Sequence, residues 1–247
     1  MRTGESLGFP SMEELARRGY DGSPEARARR DEERRRQEAD ALKSYRASCV
    51  QYSLDEQLRD ERRSYRWDMF QVEDGGGADE DRRKKLALVK AWASNPEGSL
   101  LLFGGVGRGK TLLAISSARQ ILDDAVARDT SADISFRYGT EREVMDAFMN
   151  ARKFQSRMTP EQVISYYSKP AVLVVDELGK WSANRDGLSV LEEIADERLA
   201  SRRPTIWVTN LGWEDFKSRY SDGFRSRVSG HMYVINGTDH RQTARRS

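Results

Sequence analysis

Leu100-Leu101-Leu102-Phe103-Gly104-Gly105-Val106-Gly107-Arg108-Gly109-Lys110-Thr111-Leu112-Leu113-Ala114 runs from an apolar stretch through a glycine-rich turn into a lysine, a hydroxyl and a second apolar stretch. Leu100 to Phe103 reads as a short buried strand. Residues 104–111 satisfy the GxxxxGK[ST] phosphate-loop pattern. Its glycines let the backbone wrap tightly, so that N–H groups converge on phosphate oxygens. The helix expected over Thr111–Ala127 has Leu112, Leu113, Ile115, Ala118, Ile121 and Leu122 on its apolar face. It points its positive end at the same spot. The phosphate-binding set is therefore Gly104, Gly105, Val106, Gly107, Arg108, Gly109, Lys110, Thr111 and Leu112. Lys110 is placed to reach the β- and γ-phosphates, and the Thr111 hydroxyl to ligate Mg²⁺. Arg108 is an extra cation inside the loop, able either to aid phosphate binding or to hinder approach.

Downstream of this loop, apolar strands alternate with helices. Strands are expected at Ile134–Tyr138, Ala171–Val175, Thr205–Thr209 and Met232–Ile235. Helices are expected at Glu141–Lys153, Pro160–Tyr167 and Leu188–Ala200. Such alternation predicts an α/β fold with a parallel sheet between helices. The strand ending at Val175 leads into Asp176-Glu177, 66 residues after Lys110. Ligand sites of open α/β sheets lie at this edge. Asp176 suits the Mg²⁺ shell, and Glu177 is placed to orient and deprotonate a water. The strand Thr205–Thr209 ends at Asn210, whose neutral amide could hold that water or the γ-phosphate. By itself an asparagine at a strand end is also an ordinary turn residue.

Upstream the chain is polar. It has 247 residues, 33% of them charged and 37% hydrophobic, with a mean hydropathy of −0.79. No apolar run approaches the roughly 20 residues of a membrane span, and Met1–Pro10 carries no signal pattern. One cysteine, Cys49, excludes an internal disulfide or a cysteine-rich zinc site. These features set the expectation of a cytoplasmic protein without a membrane partner. Residues 1–80 hold 15 Lys/Arg against 19 Asp/Glu, and the remainder 27 against 21. The mild basicity of the second part suits a polyanion partner without demanding one. Ser23-Pro24-Glu25 is a helix start. A helix to about Ala47 follows, polar on all sides in its first half, with Leu42, Tyr45, Val50, Tyr52, Leu54 and Leu58 giving the later part more to bury. It reads either as a charged tail or as a partner-binding module. A short helix is possible over Met12–Arg18. Tyr65, Trp67, Met69, Phe70 and Val72 form an aromatic patch, Asp74–Asp79 a flexible loop, and 81–94 an amphipathic helix on Leu86, Leu88, Val89 and Trp92. The expected organisation is a helical partner-binding segment (1–62), a lead-in (63–80) and a nucleotide-binding core (81–247).

The three motifs in this order resemble the additional-strand P-loop ATPases of the AAA+ class. Asp176-Glu177-Leu178-Gly179, Arg203-Pro204-Thr205-Ile206-Trp207-Val208-Thr209-Asn210, the lead-in Tyr65-Arg66-Trp67 and the continuation Leu112-Leu113-Ala114 are similar to the DnaC/DnaI family of helicase loaders and its relatives, the IstB-type transposition ATPases. The likeness covers about residues 62–241. It implies an ATPase using ATP and Mg²⁺, with Lys110 and Thr111 as the Walker A pair, Asp176 and Glu177 as the Walker B pair and Asn210 as sensor 1. It implies an arginine finger acting on a neighbouring copy, in the segment Gly223–Val228: Arg227 first, Arg225 as runner-up. Gly237-Thr238-Asp239-His240-Arg241 looks like a sensor 2 segment, making Arg241 a further nucleotide-binding candidate. The implied partners are a replicative DnaB-type helicase, single-stranded DNA and further copies of the chain. Residues 137–167 supply cations and rings of the kind a single strand requires, among them Arg137, Tyr138, Arg142, Tyr166 and Tyr167, with Arg152, Lys153 and Arg157 singled out. Val144, Met145, Phe148 and Met149 have core spacing, so the same stretch also reads as ordinary helix packing. The alternatives are a transposition ATPase binding duplex DNA and a nucleotide-switched adaptor without significant turnover. The chain departs from family members with a zinc-binding N-terminal domain, since it lacks the cysteines. It also stops soon after Arg241, leaving no room for a full helical lid.

Overall fold

The computed structural model describes residues 21, 23–58, 60–70, 72, 77–181 and 185–237. The Met12–Arg18 segment and Arg241 lie outside these. The chain divides into two compact units between Tyr45 and Arg46. Helix α1 spans Pro24–Gln57, ten residues beyond the expected Ala47. Ser23 caps it as expected, its hydroxyl accepting from the Ala26 N–H at 3.1 Å. No residue from Pro24 to Tyr45 is buried. Val50, Leu54 and Leu58, spaced four apart, are fully buried, whereas Leu42, Tyr45 and Tyr52 are exposed. Only one stripe of this segment finds apolar neighbours, and the other rings remain in solvent.

Short 3-10 turns follow at Asp60–Ser64 and Trp67–Met69. Helix α2 is Gly77–Ser94, so the end of the expected loop is helical. Val89 and Trp92 are buried, while Leu88 is exposed and leaves the apolar stripe. The rest runs β1 (Ser99–Phe103), α3 (Lys110–Arg128), β2 (Phe136–Thr140), α4 (Glu141–Ala151), α5 (Pro160–Ser168), β3 (Val172–Leu178), α6 (Arg185–Ala200), β4 (Thr205–Thr209), α7 (Trp213–Arg219), α8 (Asp222–Val228) and β5 (His231–Val234). The five strands form one parallel sheet in the order β2-β3-β4-β1-β5.

Alternation along each central strand fills two cores. Leu100, Leu102, Val172, Val174, Ile206 and Val208 face Val50, Leu54 and the α2 and α3 side chains. Leu101, Phe103, Leu173, Val175 and Trp207 face α4, α5, α6, α7 and α8. With both faces covered, the strands read as unbroken apolar runs. Arg198 is buried where β3 and β4 begin. It donates to the carbonyls of Ser168 (2.9 Å), Pro170 (2.7 Å) and Pro204 (2.7 Å) and to the Thr205 hydroxyl (2.6 Å). These bonds pin the entries of the strands, so that their exits share one edge. Among the described residues no helix is long and apolar enough to cross a membrane.

Candidate nucleotide site

Strand β1 delivers residues 104–109 to that edge, and the loop closes where α3 starts. Gly104 and Gly109 have φ of 139° and 86°. A side chain at Gly104 would run into the carbonyl oxygen of Ile235, and one at Gly109 would lie 2.8 Å from the Phe70 ring. Both left-handed backbone and close approach therefore demand glycine here. Gly109 is the N-cap of α3 and offers no side chain to the first N–H groups. The helix start thus stays available to an anion. Lys110 is buried, and its ammonium donates to the Gly105 carbonyl at 2.7 Å.

The Thr111 hydroxyl donates to Asp176 Oδ2 at 2.8 Å, which joins the phosphate loop to β3. Strand β3 runs on through Leu178, past the Val175 boundary expected from its apolar run, so the two acids lie within it. Its register against β4 slips between Val175 and Leu178, and Glu177 sits at φ 59°. A left-handed glutamate is sterically costly and persists only where its surroundings hold it. The Glu177 carboxylate accepts from the Lys180 ammonium at 2.8 Å. The Thr209 hydroxyl donates to the Leu178 carbonyl at 2.9 Å and ties the end of β4 to β3.

A cavity of about 420 Å³ opens here. Arg108, Lys110, Thr111, Asp176, Glu177 and Asn210 all line it, so the three sequence motifs converge. Its far wall comes from Tyr65, Met69 and Phe70 of the lead-in, with Arg82 of α2. The aromatic patch is thus part of the candidate site. The Asp176 and Thr111 oxygens form a hard donor pair of the kind Mg²⁺ prefers, which fits the expected ion.

Two residues were missed from the sequence. The Tyr138 hydroxyl donates to Asp176 Oδ2 at 2.9 Å and accepts from Arg62 at 2.9 Å. Burial, and then the Asp176 charge, push its phenol well above the usual range. This corrects the expectation of Tyr138 in a DNA-facing set, since it is half-buried and its hydroxyl is turned to the acid; Tyr167 is buried. The alternation along β2 could have signalled which way Tyr138 turns. The second is Arg82, buried, whose guanidinium lies 4.4 Å from the Phe70 ring centroid and donates to the Asn236 carbonyl at 2.6 Å. It joins the lead-in to the end of β5. Nothing local marks it out among 33 arginines.

Arg225 and Arg227 lie on α8, and neither lines the cavity. Arg225 pairs with Asp222, and Arg227 pairs with Asp196 and with Glu192 at 3.3 Å. Arg152, Lys153, Phe154 and Arg157 are exposed in the turn between α4 and α5, with Phe154 94% exposed. Arg137 is stacked 3.6 Å from the Tyr166 ring centroid, and Arg142 pairs with Asp146 at 3.4 Å.

The sequence profile of the family described as IstB-like ATP binding protein matches residues 57–226. The chain belongs to this family. Among curated relatives, the replicative helicase loader DnaC of Escherichia coli (strain K12) is 26% identical over 167 residues, 65% of this chain and 64% of that protein. The likeness thus spans a little under two thirds of that relative's length. Among solved structures, the DnaC helicase loader has a TM-score of 0.55 at 17% identity, covering 72% of this chain and 98% of that one. The replication initiator DnaA bound to AMPPCP and single-stranded DNA has 0.55 at 17%, covering 71% and 50%. These likenesses place the IstB-like chain in the AAA+ ATPase fold.

Proposed function

We propose that this IstB-like chain hydrolyses ATP and loads a replicative DnaB-type helicase onto single-stranded DNA. The observation that carries the ATPase reading is the 2.8 Å bond between Thr111 and Asp176, beside Lys110 and Glu177 in one cavity. Lys110 and the loop N–H groups hold the β- and γ-phosphates. Thr111 and Asp176 hold Mg²⁺, which when bound offsets phosphate charge. Glu177 leaves Lys180, orients the attacking water and takes its proton. Asn210 holds that water in line. Arg227 acts on the site of a neighbouring copy, where a cation stabilises the charge of the transferring phosphoryl. The likeness to DnaC supports the helicase as partner. Residues 1–62, nearly all outside the family match, would grip it through their helix. Arg152, Lys153 and Arg157, exposed in one turn with Phe154, supply the cations and the ring that a single strand requires.

Lys110→Ala is expected to abolish ATP binding with the far-UV spectrum unchanged. Glu177→Gln is expected to bind ATP and turn it over at least ~100-fold more slowly, read by fluorescent-nucleotide titration and phosphate release. Wild-type turnover in either variant would sink the assignment. A second reading, a transposition ATPase, is favoured by the family match itself. Tighter binding of duplex than of single-stranded DNA, with no complex with the host helicase, would select it.

A further inference from the structure

Glu141 opens α4, yet its carboxylate does not serve that helix. Thr140 and Glu143 already close the capping box of α4. Glu141 is instead fully buried and turned across to two other elements. Its Oε2 accepts from the backbone N–H of Gly179 (2.8 Å) and of Trp181 (3.1 Å). Its Oε1 accepts from the Tyr220 hydroxyl at 2.7 Å.

Both ends of this bridge matter for turnover. Gly179 and Trp181 flank Lys180, whose N–H closes a turn onto the Glu177 carbonyl at 3.2 Å and whose ammonium holds the Glu177 carboxylate. The turn therefore carries the left-handed glutamate. Tyr220 directly precedes Ser221, the N-cap of α8, whose hydroxyl accepts from the Phe224 N–H at 3.0 Å. Ser221 also donates to Glu192 at 2.8 Å, and Glu192 pairs with Arg227. One buried carboxylate thus joins the turn behind the water-activating glutamate to the base of the helix that carries the arginines.

We propose that Glu141 is a positioning residue for hydrolysis, fixing the Glu177 turn and seating it against the base of the Arg225/Arg227 helix. The inference rests on the ATPase reading above and adds a group that touches neither nucleotide nor water. Three donors meet its two oxygens, so removing the carboxylate leaves buried N–H groups without an acceptor and lets the turn relax. A displacement of about 1 Å at the reacting geometry is enough for roughly a 100-fold loss.

The test separates positioning from binding. In Glu141→Ala, kcat is expected to fall by roughly 100-fold while ATP affinity stays within about 2-fold. Glu141→Gln keeps an amide oxygen for the two N–H groups and is expected to recover most of the turnover. Tyr220→Phe removes one hydroxyl only, leaves the turn bonds, and is expected to lower kcat several-fold at unchanged affinity. It keeps the proposal testable should Glu141→Ala fail to fold. Unchanged kcat in Tyr220→Phe, or equal losses in kcat and affinity in Glu141→Ala, would overturn it. Glu177→Gln is run alongside. Wild-type turnover there would bring down the ATPase reading itself, whereas its inactivity beside a fully active Glu141→Ala would bring down only the positioning role.

Discussion

Glu177 and Gly109 show how single residues shape the cavity. The left-handed φ of Glu177 is stored strain at an acid that lines the cavity. It is held by the turn through Lys180 and by the slip of register against β4. Gly109 is left-handed too, but glycine takes that backbone without steric cost, and a side chain there would also meet Phe70. Gly109→Ala is expected to destabilise the fold by about 1–3 kcal/mol, read from urea unfolding, and to weaken ATP binding. Equal stability would mean that the loop and Phe70 are not in contact. Legibility at this scale was uneven. The residue types of Lys110, Thr111, Asp176, Glu177 and Asn210 announce their chemistry, because few other residues serve in a phosphate loop or at the end of a buried strand. Arg82 announces nothing and Tyr138 only the direction it turns, because their roles come from partners 154 and 38 residues away.

At the scale of elements, α1 and α8 make the sharpest claims. The last turns of α1 belong to the core: Leu54 is fully buried in the cluster that holds Leu100 and Val174. Leu54→Ala is expected to cost about 2–5 kcal/mol, read from the urea midpoint. A cost below about 1 kcal/mol would detach this stretch from the core. The amphipathic signal was there in Val50, Leu54 and Leu58, but Leu42, Tyr45 and Tyr52 blurred it by offering a second stripe that stays exposed. Helix α8 presents Arg227 outside the cavity of its own chain, paired with Glu192 and Asp196 of α6. Those pairs are partly open to solvent, where ion pairs exchange readily. Arg227→Ala is expected to keep ATP binding by the isolated copy and to lose, by roughly 10³-fold or more, the turnover that rises with protein concentration. Loss of ATP binding as well would argue against action on a neighbour.

Across the whole molecule, three tyrosines turned inward tie the cores to the site: Tyr167 and Tyr220 in the second core and the half-buried Tyr138 against the first. Burial, then Glu141, raise the Tyr220 phenol well above its usual range, and burial, then Asp176, do the same at Tyr138; burial lifts Tyr167 to about 12. An unfolded tyrosine titrates near 10. Between pH 10 and the folded values the native state therefore binds more protons than the unfolded chain. This stabilisation is complete below about pH 10 and is lost as pH rises further. The urea midpoint is expected to be lower at pH 10.5 than at pH 8, and Tyr220→Phe to lessen the drop. A midpoint indifferent to pH would show these phenols to be open to water.

The order of motifs along this chain settles the fold class by itself. Apolar strands, glycine turns and paired acids are local signals, set by backbone sterics and by burial on both faces of a parallel sheet. The boundaries drifted by a few residues at β2, β3 and α2, where hydrogen-bond pairing rather than composition ends an element. Which side chains complete the cavity was settled only by folding. The order β2-β3-β4-β1-β5 brings Tyr138 to Asp176, Arg82 to Asn236, and Glu141 to both Gly179 and Tyr220. Those contacts depend on distance in space between residues far apart in the chain, and no local pattern encodes that distance.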